Sequence, residues 1–155
     1  MSRRNVSKKR FPEYDCLYNS YLVNLLILRV LTSGKKNLAK KIVYKTFDII
    51  KIKTNKNPLY VFEKAIRNAS PLIEIKAKRI GGTTHQIPNQ ISKFKAINLS
   101  LRWIIKYARE RSGRTMALKL AFEIMDTFNS IGNTIKKKEE IHKIAQINKS
   151  FIHAI

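Results

Sequence analysis

The chain has 155 residues, 44% of them hydrophobic, which is enough to bury one core and is read as a single domain over residues 1–155. Its 32 lysines and arginines against 10 acidic residues give a formal net charge of +22, far beyond what solubility needs, so the expected partner is a polyanion. No apolar run reaches the roughly 18 residues needed to span a bilayer, and the cations are scattered over several segments instead of lining one lipid-facing helix, which sets nucleic acid ahead of a membrane surface.

Residues 1–12 open as Met1-Ser2-Arg3-Arg4-Asn5-Val6-Ser7-Lys8-Lys9-Arg10, with no apolar stretch of the kind a signal peptide requires. They read as a flexible basic arm that orders on binding. Cys16 is the single cysteine, which excludes an internal disulfide framework and suits a reducing compartment. Tyr21 to Leu31 is apolar nearly all round, broken by Asn24 and Arg29, and predicts a core helix stopped near Gly34. From Lys35 to Lys53, Leu38, Ile42, Phe47, Ile49 and Ile50 make an apolar stripe that leaves Lys36, Lys40, Lys41 and Lys45 outside. Asn57-Pro58 then marks a helix start, asparagine as cap and proline in the first turn. Leu59, Phe62, Ala65, Ile66 and Ala69 form its inward face, and Ser70-Pro71 ends it.

Residues 72–91 break the helical pattern. Ile73, Ile75 and Ala77 alternate with Lys76 and Lys78, Gly81-Gly82 supplies a turn, and a β-branched limb from Thr83 to Ile87 is closed by Pro88. This is a basic β-hairpin, and since a two-stranded ribbon is marginal alone, its stabilising surface is expected in a partner. Ser92 is placed as the cap of a helix running to about Arg111, with Ile97, Leu101, Ile104, Ile105 and Ala108 inward and Arg102, Lys106 and Arg109 on another face beside Trp103 and Tyr107. Ser112-Gly113-Arg114 breaks the chain, and Thr115 caps a helix with the stripe Ala117, Leu120, Ala121, Ile124 and Phe128. Met116 and Met125 are expected to fill gaps in the packing. Gly132 is read as the end of that helix, and Lys136-Lys137-Lys138-Glu139-Glu140 as the opening of a last one with Ile141, Ile144, Ala145 and Phe151 inward. The expected fold is mainly α: a single-domain bundle of about six helices with one protruding basic β-hairpin and a disordered basic N-terminal arm.

Reaction chemistry is scarce. His85, His142 and His153 lack the short spacing of a metal site, and Cys16 has no partner cysteine, so no metal is expected. Gly81-Gly82 sits between strands, the wrong setting for a phosphate-cradling loop with its lysine. Glu139 and Glu140 are neighbours on a helix and cannot face each other. With no assembly of nucleophile, base and orienting group, the chain reads as a non-enzyme without a cofactor.

The ordered strings Gly34-Lys35-Lys36, Asn57-Pro58-Leu59, Lys76-Ala77-Lys78-Arg79-Ile80-Gly81-Gly82-Thr83-Thr84-His85-Gln86-Ile87-Pro88, Leu101-Arg102-Trp103, Ala108-Arg109-Glu110-Arg111 and Met116-Ala117 closely resemble the small-subunit ribosomal protein seven family. So do Lys137-Lys138-Glu139-Glu140-Ile141-His142-Lys143 and the run from Ala145 to His153, so the resemblance spans nearly the whole chain. It implies a structural constituent of the small ribosomal subunit that binds the 3′ major domain of small-subunit ribosomal RNA in the head. It also implies early binding that helps the head assemble, a hairpin beside the exit transfer-RNA site and the messenger path, and small-subunit protein eleven as a neighbour. Carried over by position, the RNA-facing groups are Arg3, Arg4, Lys8, Lys9, Arg10, Lys35, Lys36, Lys76, Lys78, Arg79, Arg102, Arg109, Arg111, Arg114, Lys136, Lys137 and Lys138.

His85 stands where bacterial members often carry tyrosine, and the Thr84-His85-Gln86 run and the Met-Ser-Arg-Arg start look like the plastid branch. Heavy use of lysine, asparagine and isoleucine suits an A/T-rich organellar genome, and the absence of a transit peptide fits synthesis inside the organelle. A plastid ribosome is therefore the expected location, with bacterial cytoplasm as the alternative. From another class, a DNA-bending architectural protein would also use a basic β-ribbon, but such proteins often carry an apolar or proline wedge at the ribbon tip. Here the tip is Gly81-Gly82.

Overall fold

The computed structural model describes residues 12–80 and 82–148. Over that span the chain folds as six helices interrupted by one antiparallel hairpin: α1 Tyr21–Val30, α2 Lys36–Thr54, α3 Pro58–Ala69, β1 Ile73–Ile80, β2 Thr83–Gln90, α4 Lys93–Glu110, α5 Met116–Phe128 and α6 Asn133–Ile147. The expected N-terminal arm, apart from Pro12, and the expected inward side chain of Phe151 lie outside the described residues.

Helix α5 is the central rod, packed by α2, α3, α4 and α6, while α1 lies across α2 and α4. Val23, Leu26, Ile27, Phe47, Phe62, Leu101, Ile104, Leu120 and Ile124 are fully enclosed and join all five of the first helical layers into one core. The rings of Phe47 and Phe62 meet at 5.5 Å between α2 and α3, and Tyr18 packs edge-on to Phe47 at 4.9 Å. Among the described residues no buried side-chain polar atom lacks a hydrogen-bond partner.

Local signals account for several boundaries. Asn57 Oδ1 accepts from the Leu59 N–H at 3.0 Å with Pro58 in the first turn, as the sequence predicts for α3. Thr115 Oγ1 accepts from the Leu118 N–H at 3.4 Å at the start of α5. Ser92 precedes α4 by position but makes no side-chain cap hydrogen bond.

Three expectations need correction. The inward face of α2 is Ala39, Val43, Thr46, Phe47 and Ile50, so the stripe drawn through Leu38 and Ile42 was turned by about one residue; Leu38 is exposed and Ile42 half-buried. Thr46 misled that reading because it is polar yet buried, its Oγ1 donating to the Ile42 carbonyl at 2.8 Å and reaching the Ala117 carbonyl of α5 at 3.3 Å. Helix α5 ends at Phe128, and Gly132 instead stands immediately before α6, which begins at Asn133, three residues ahead of the lysine run. The third concerns β2, which does not close at Pro88 but runs on to Gln90, Pro88 pairing opposite Ile75. A two-stranded ribbon exposes one edge of each strand, where a residue without an N–H costs no ladder bond.

Gly132 packs against a partly buried charge cluster. Its φ is +100°, and a Cβ there would lie 3.4 Å from the Asp126 Cβ. Beside it, the Arg111 guanidinium at the end of α4 donates from Nε to Glu123 Oε2 at 2.6 Å and from Nη2 to Asp126, while Thr134 Oγ1 donates to Glu123 Oε1 at 2.6 Å. Glu123 is 1% exposed, so this carboxylate is held by α4 on one oxygen and by α6 on the other. Burial works against the charge of Arg111, and the hydrogen bonds to Asp126 and Glu123 outweigh it, so its pKa lies above the ordinary value.

Candidate nucleic-acid interface

A shallow groove between α1 and α4 gathers four cations. Arg102, Lys106 and Arg109 recur one turn apart along α4, Ile105 forms part of the floor, and Arg29 reaches in from the C-terminal turn of α1. Arg29 Nη2 donates to Asn98 Oδ1 at 2.8 Å, and Asn98 Nδ2 donates to the Phe94 carbonyl at 2.8 Å, so this guanidinium is anchored from its own groove wall. The lone carboxylate in the groove, Glu110, stands 3.9 Å from Lys106. Arg102 and Arg109 are exposed, and Trp103 and Tyr107 beside them are half-buried, as mixed packing residues. Three planar forks and one ammonium around an apolar floor suit charge-assisted contacts to phosphate oxygens.

The hairpin carries a second set. Lys76, Lys78 and Arg79 are exposed on β1, and β1 and β2 pair in a register that sets Lys78 opposite His85 and Ile80 opposite Thr83. Lys76 lies 3.4 Å from Glu74, whereas Lys78 and Arg79 have no ion-pair partner among the described residues. Hydrogen bonding to Lys95 holds the Glu74 carboxyl below its ordinary pKa against the opposing effect of burial.

Helix starts make a third set. Lys35 and Lys36 open α2, Arg114 stands just before α5, and Lys136 is in the first turn of α6, all exposed. None of the six helices has an acidic residue in its first turn. The positive end of a helix dipole attracts anions and disfavours lysine, so these cations are not placed there to stabilise their own helices. Lys137 pairs with Glu140 at 2.8 Å, and Lys138 Nζ donates to the Asn68 carbonyl at 2.7 Å, so both are partly committed within the protein. Arg111 is paired through Nε with Glu123 and through Nη2 with Asp126, which commits it to the charge cluster. Arg3, Arg4, Lys8, Lys9 and Arg10 lie outside the described residues.

Two features were not legible beforehand. Arg29 reads in sequence only as a break in an apolar helix, although an isolated arginine in the last turn of such a helix is the signal that could have marked it. Around the ends of α2, α3 and α5, Lys53 lies 3.9 Å above the ring of Phe122, and Lys56 and Lys64 lie 5.2 and 4.7 Å from that of Phe128. Among the described residues there is no group of three or more histidine, cysteine or acidic side chains that could hold a metal ion, and no helix long and apolar enough to cross a membrane.

Comparison with known proteins adds independent observations. A family model described as ribosomal protein S7p/S5e matches residues 1–149. The chain is 69% identical over 144 residues to the small ribosomal subunit protein uS7c of Trieres chinensis, covering 93% of this chain and 91% of that protein. It is 51% identical over 153 residues to the small ribosomal subunit protein uS7 of Gloeothece citriformis, and 47% identical over 153 residues to that of Thermosynechococcus vestitus, each covering 99% of this chain and 98% of the relative.

Proposed function

The chain belongs to the ribosomal protein S7p/S5e family, a structural, non-enzymatic family of the small ribosomal subunit, and from this premise we propose that its basic surfaces bind the 3′ major (head) domain of small-subunit ribosomal RNA. The ribosome is that of a plastid, in keeping with 69% identity to uS7c and with cyanobacterial relatives at about half identity. The observation that carries the RNA reading is the groove in which Arg29, Arg102, Lys106 and Arg109 converge with a single carboxylate among them. Ribosomal RNA junctions hide base edges in deep, narrow grooves and present backbone, 2′-hydroxyls and splayed bases. Arginine forks fix register on such a backbone, while lysines at the helix starts spread charge over neighbouring phosphates.

The hairpin extends this reach. With Lys78 and Arg79 exposed near its end, it lies beside the exit transfer RNA and the messenger, and the platform neighbour, protein eleven, is approached nearby. The protein thus binds early, organises the head, and leaves one ribbon at the path of the translated RNAs. Sedimentation of the protein with small subunits in high-salt gradients tests this: co-migration that survives moderate salt is expected, and dissociation at salt levels that leave other head proteins bound would refute it. Affinity for duplex DNA equal to that for the head-domain RNA would favour the DNA-bending alternative instead.

A further inference from the structure

The base of the hairpin is held from both sides. Toward α4, the Glu74 carboxylate, with its side chain 16% exposed, is paired with Lys95, and Lys76 of its own strand stands 3.4 Å from its other oxygen. Toward α6, the Leu72 N–H, one residue before β1, donates to His142 Nε2 at 3.2 Å, while the Leu72 carbonyl accepts from the Ile91 N–H at 3.3 Å and closes the ribbon. Burial, and then the nearby charge of Lys138, hold His142 below its ordinary pKa, which keeps Nε2 available as an acceptor at neutral pH. Beyond this level, Ala77, Lys78, Arg79, Thr84 and Gln86 are exposed.

Helix α6 also packs against β1 and Ile87 of β2 is buried, but from Ala77 outward the described side chains are mostly exposed, and a two-stranded ribbon has little of its own to set its direction there. At about 3.3 Å per residue the end of the ribbon stands roughly 20 Å from Glu74, so a swing of about 15° at the base moves it by about 5 Å. That displacement is enough to take Lys78 and Arg79 out of reach of a given phosphate. Glu74 is also the hairpin's single acidic residue, and a carboxylate in so cationic a ribbon, turned to α4 and paired there, serves the protein's own geometry rather than an anionic partner.

We infer that Glu74 and His142 are positioning residues, which fix the angle at which the hairpin leaves the helical body and so preset where Lys78 and Arg79 meet RNA. The consequence for RNA rests on the function proposed above; the angle itself does not. Lys76 and Lys95 both pair with Glu74, but only Lys95 belongs to the body, so the two are expected to behave differently on removal.

The test is a distance measurement by pulsed electron spin resonance on the free protein, carrying Cys16→Ser with spin labels at Thr84→Cys and Asn129→Cys. A narrow distribution is expected in the parent, about doubled in width by Lys95→Ala, wider still in Lys95→Ala/His142→Ala, and unchanged by Lys76→Ala. His142→Gln, which retains an acceptor oxygen, should broaden it less than His142→Ala. An unchanged width in Lys95→Ala/His142→Ala, with the fold intact by circular dichroism, overturns the inference, as does equal broadening by Lys76→Ala. Failure of the parent to bind head-domain RNA would instead refute the proposed function, since the distances are read without RNA.

Discussion

Arg102 and Arg109 share a helix with Ile104 but face the other way, and their substitutions should separate binding from folding. Arg102→Ala and Arg109→Ala are each expected to weaken RNA binding by about 1–3 kcal/mol through loss of a charge-assisted contact, with the melting temperature unchanged. Ile104→Ala, at a fully enclosed position, should cost about 2–5 kcal/mol of stability through the cavity it leaves. Filter binding and thermal unfolding on the same variants check both, and a lowered melting temperature for the arginine variants alone would reverse the two faces. Glu123→Ala removes one of the two carboxylates on Arg111 and the acceptor of Thr134, leaving Asp126 as the partner of Arg111, so a loss of about 1–3 kcal/mol in chemical denaturation is expected. His142 supplies a pH signature. Its pKa is lowered from 6.5 in the folded chain, so the unfolded chain binds the proton more readily. Stability should be complete above pH 6.5, fall as the pH drops through the lowered folded value, and level off below it. His142→Gln should remove that slope from an unfolding titration across this range.

At the scale of elements, the hairpin can be separated from the bundle. Replacing Lys76 to Gln86 by a short turn removes mostly exposed side chains and keeps Ile87, the buried residue of β2, so the domain should remain folded and still enter subunits. Exit-site transfer RNA should then be held less well, seen as faster release from fully assembled subunits; unchanged occupancy would make the ribbon an assembly element only. Which elements could be read in advance follows from how local their causes are. The start of α3 is written in Asn57-Pro58, and the hairpin in alternation around two glycines, so neither needs the rest of the fold. The phase of α2 does, because Thr46 is buried only by virtue of the Ala117 carbonyl supplied by α5. Likewise the commitment of Arg111 depends on carboxylates 12 and 15 residues further along, and the start of α6 on Glu123, 11 residues before Thr134, pairings that no periodicity announces. Arg29 joined the basic groove only when α1 was laid across α4.

The whole molecule behaves as a distributed cation. Its free energy of binding should come largely from release of condensed counterions, so each phosphate neutralised contributes a slope of roughly 0.7 to 0.9 to the fall of log affinity with log salt. Contacts from the groove, the hairpin and the helix starts together predict a steep titration, losing several decades of affinity as salt rises. A slope near that of two or three phosphates would confine binding to one of the three sets. The two-sided seating of the hairpin also has a consequence in time. Leu72 and His142 are 70 residues apart, and at about 5–20 residues per second the ribosome needs roughly 4 to 14 s to make the interval between them. Lys95 is made early in that wait, so the α4 side closes first and the ribbon hangs from one anchor while the last helix is still being synthesised. During those seconds the ribbon, with its exposed Lys78 and Arg79, has one of its two anchors, and its direction is set only after His142 has been made.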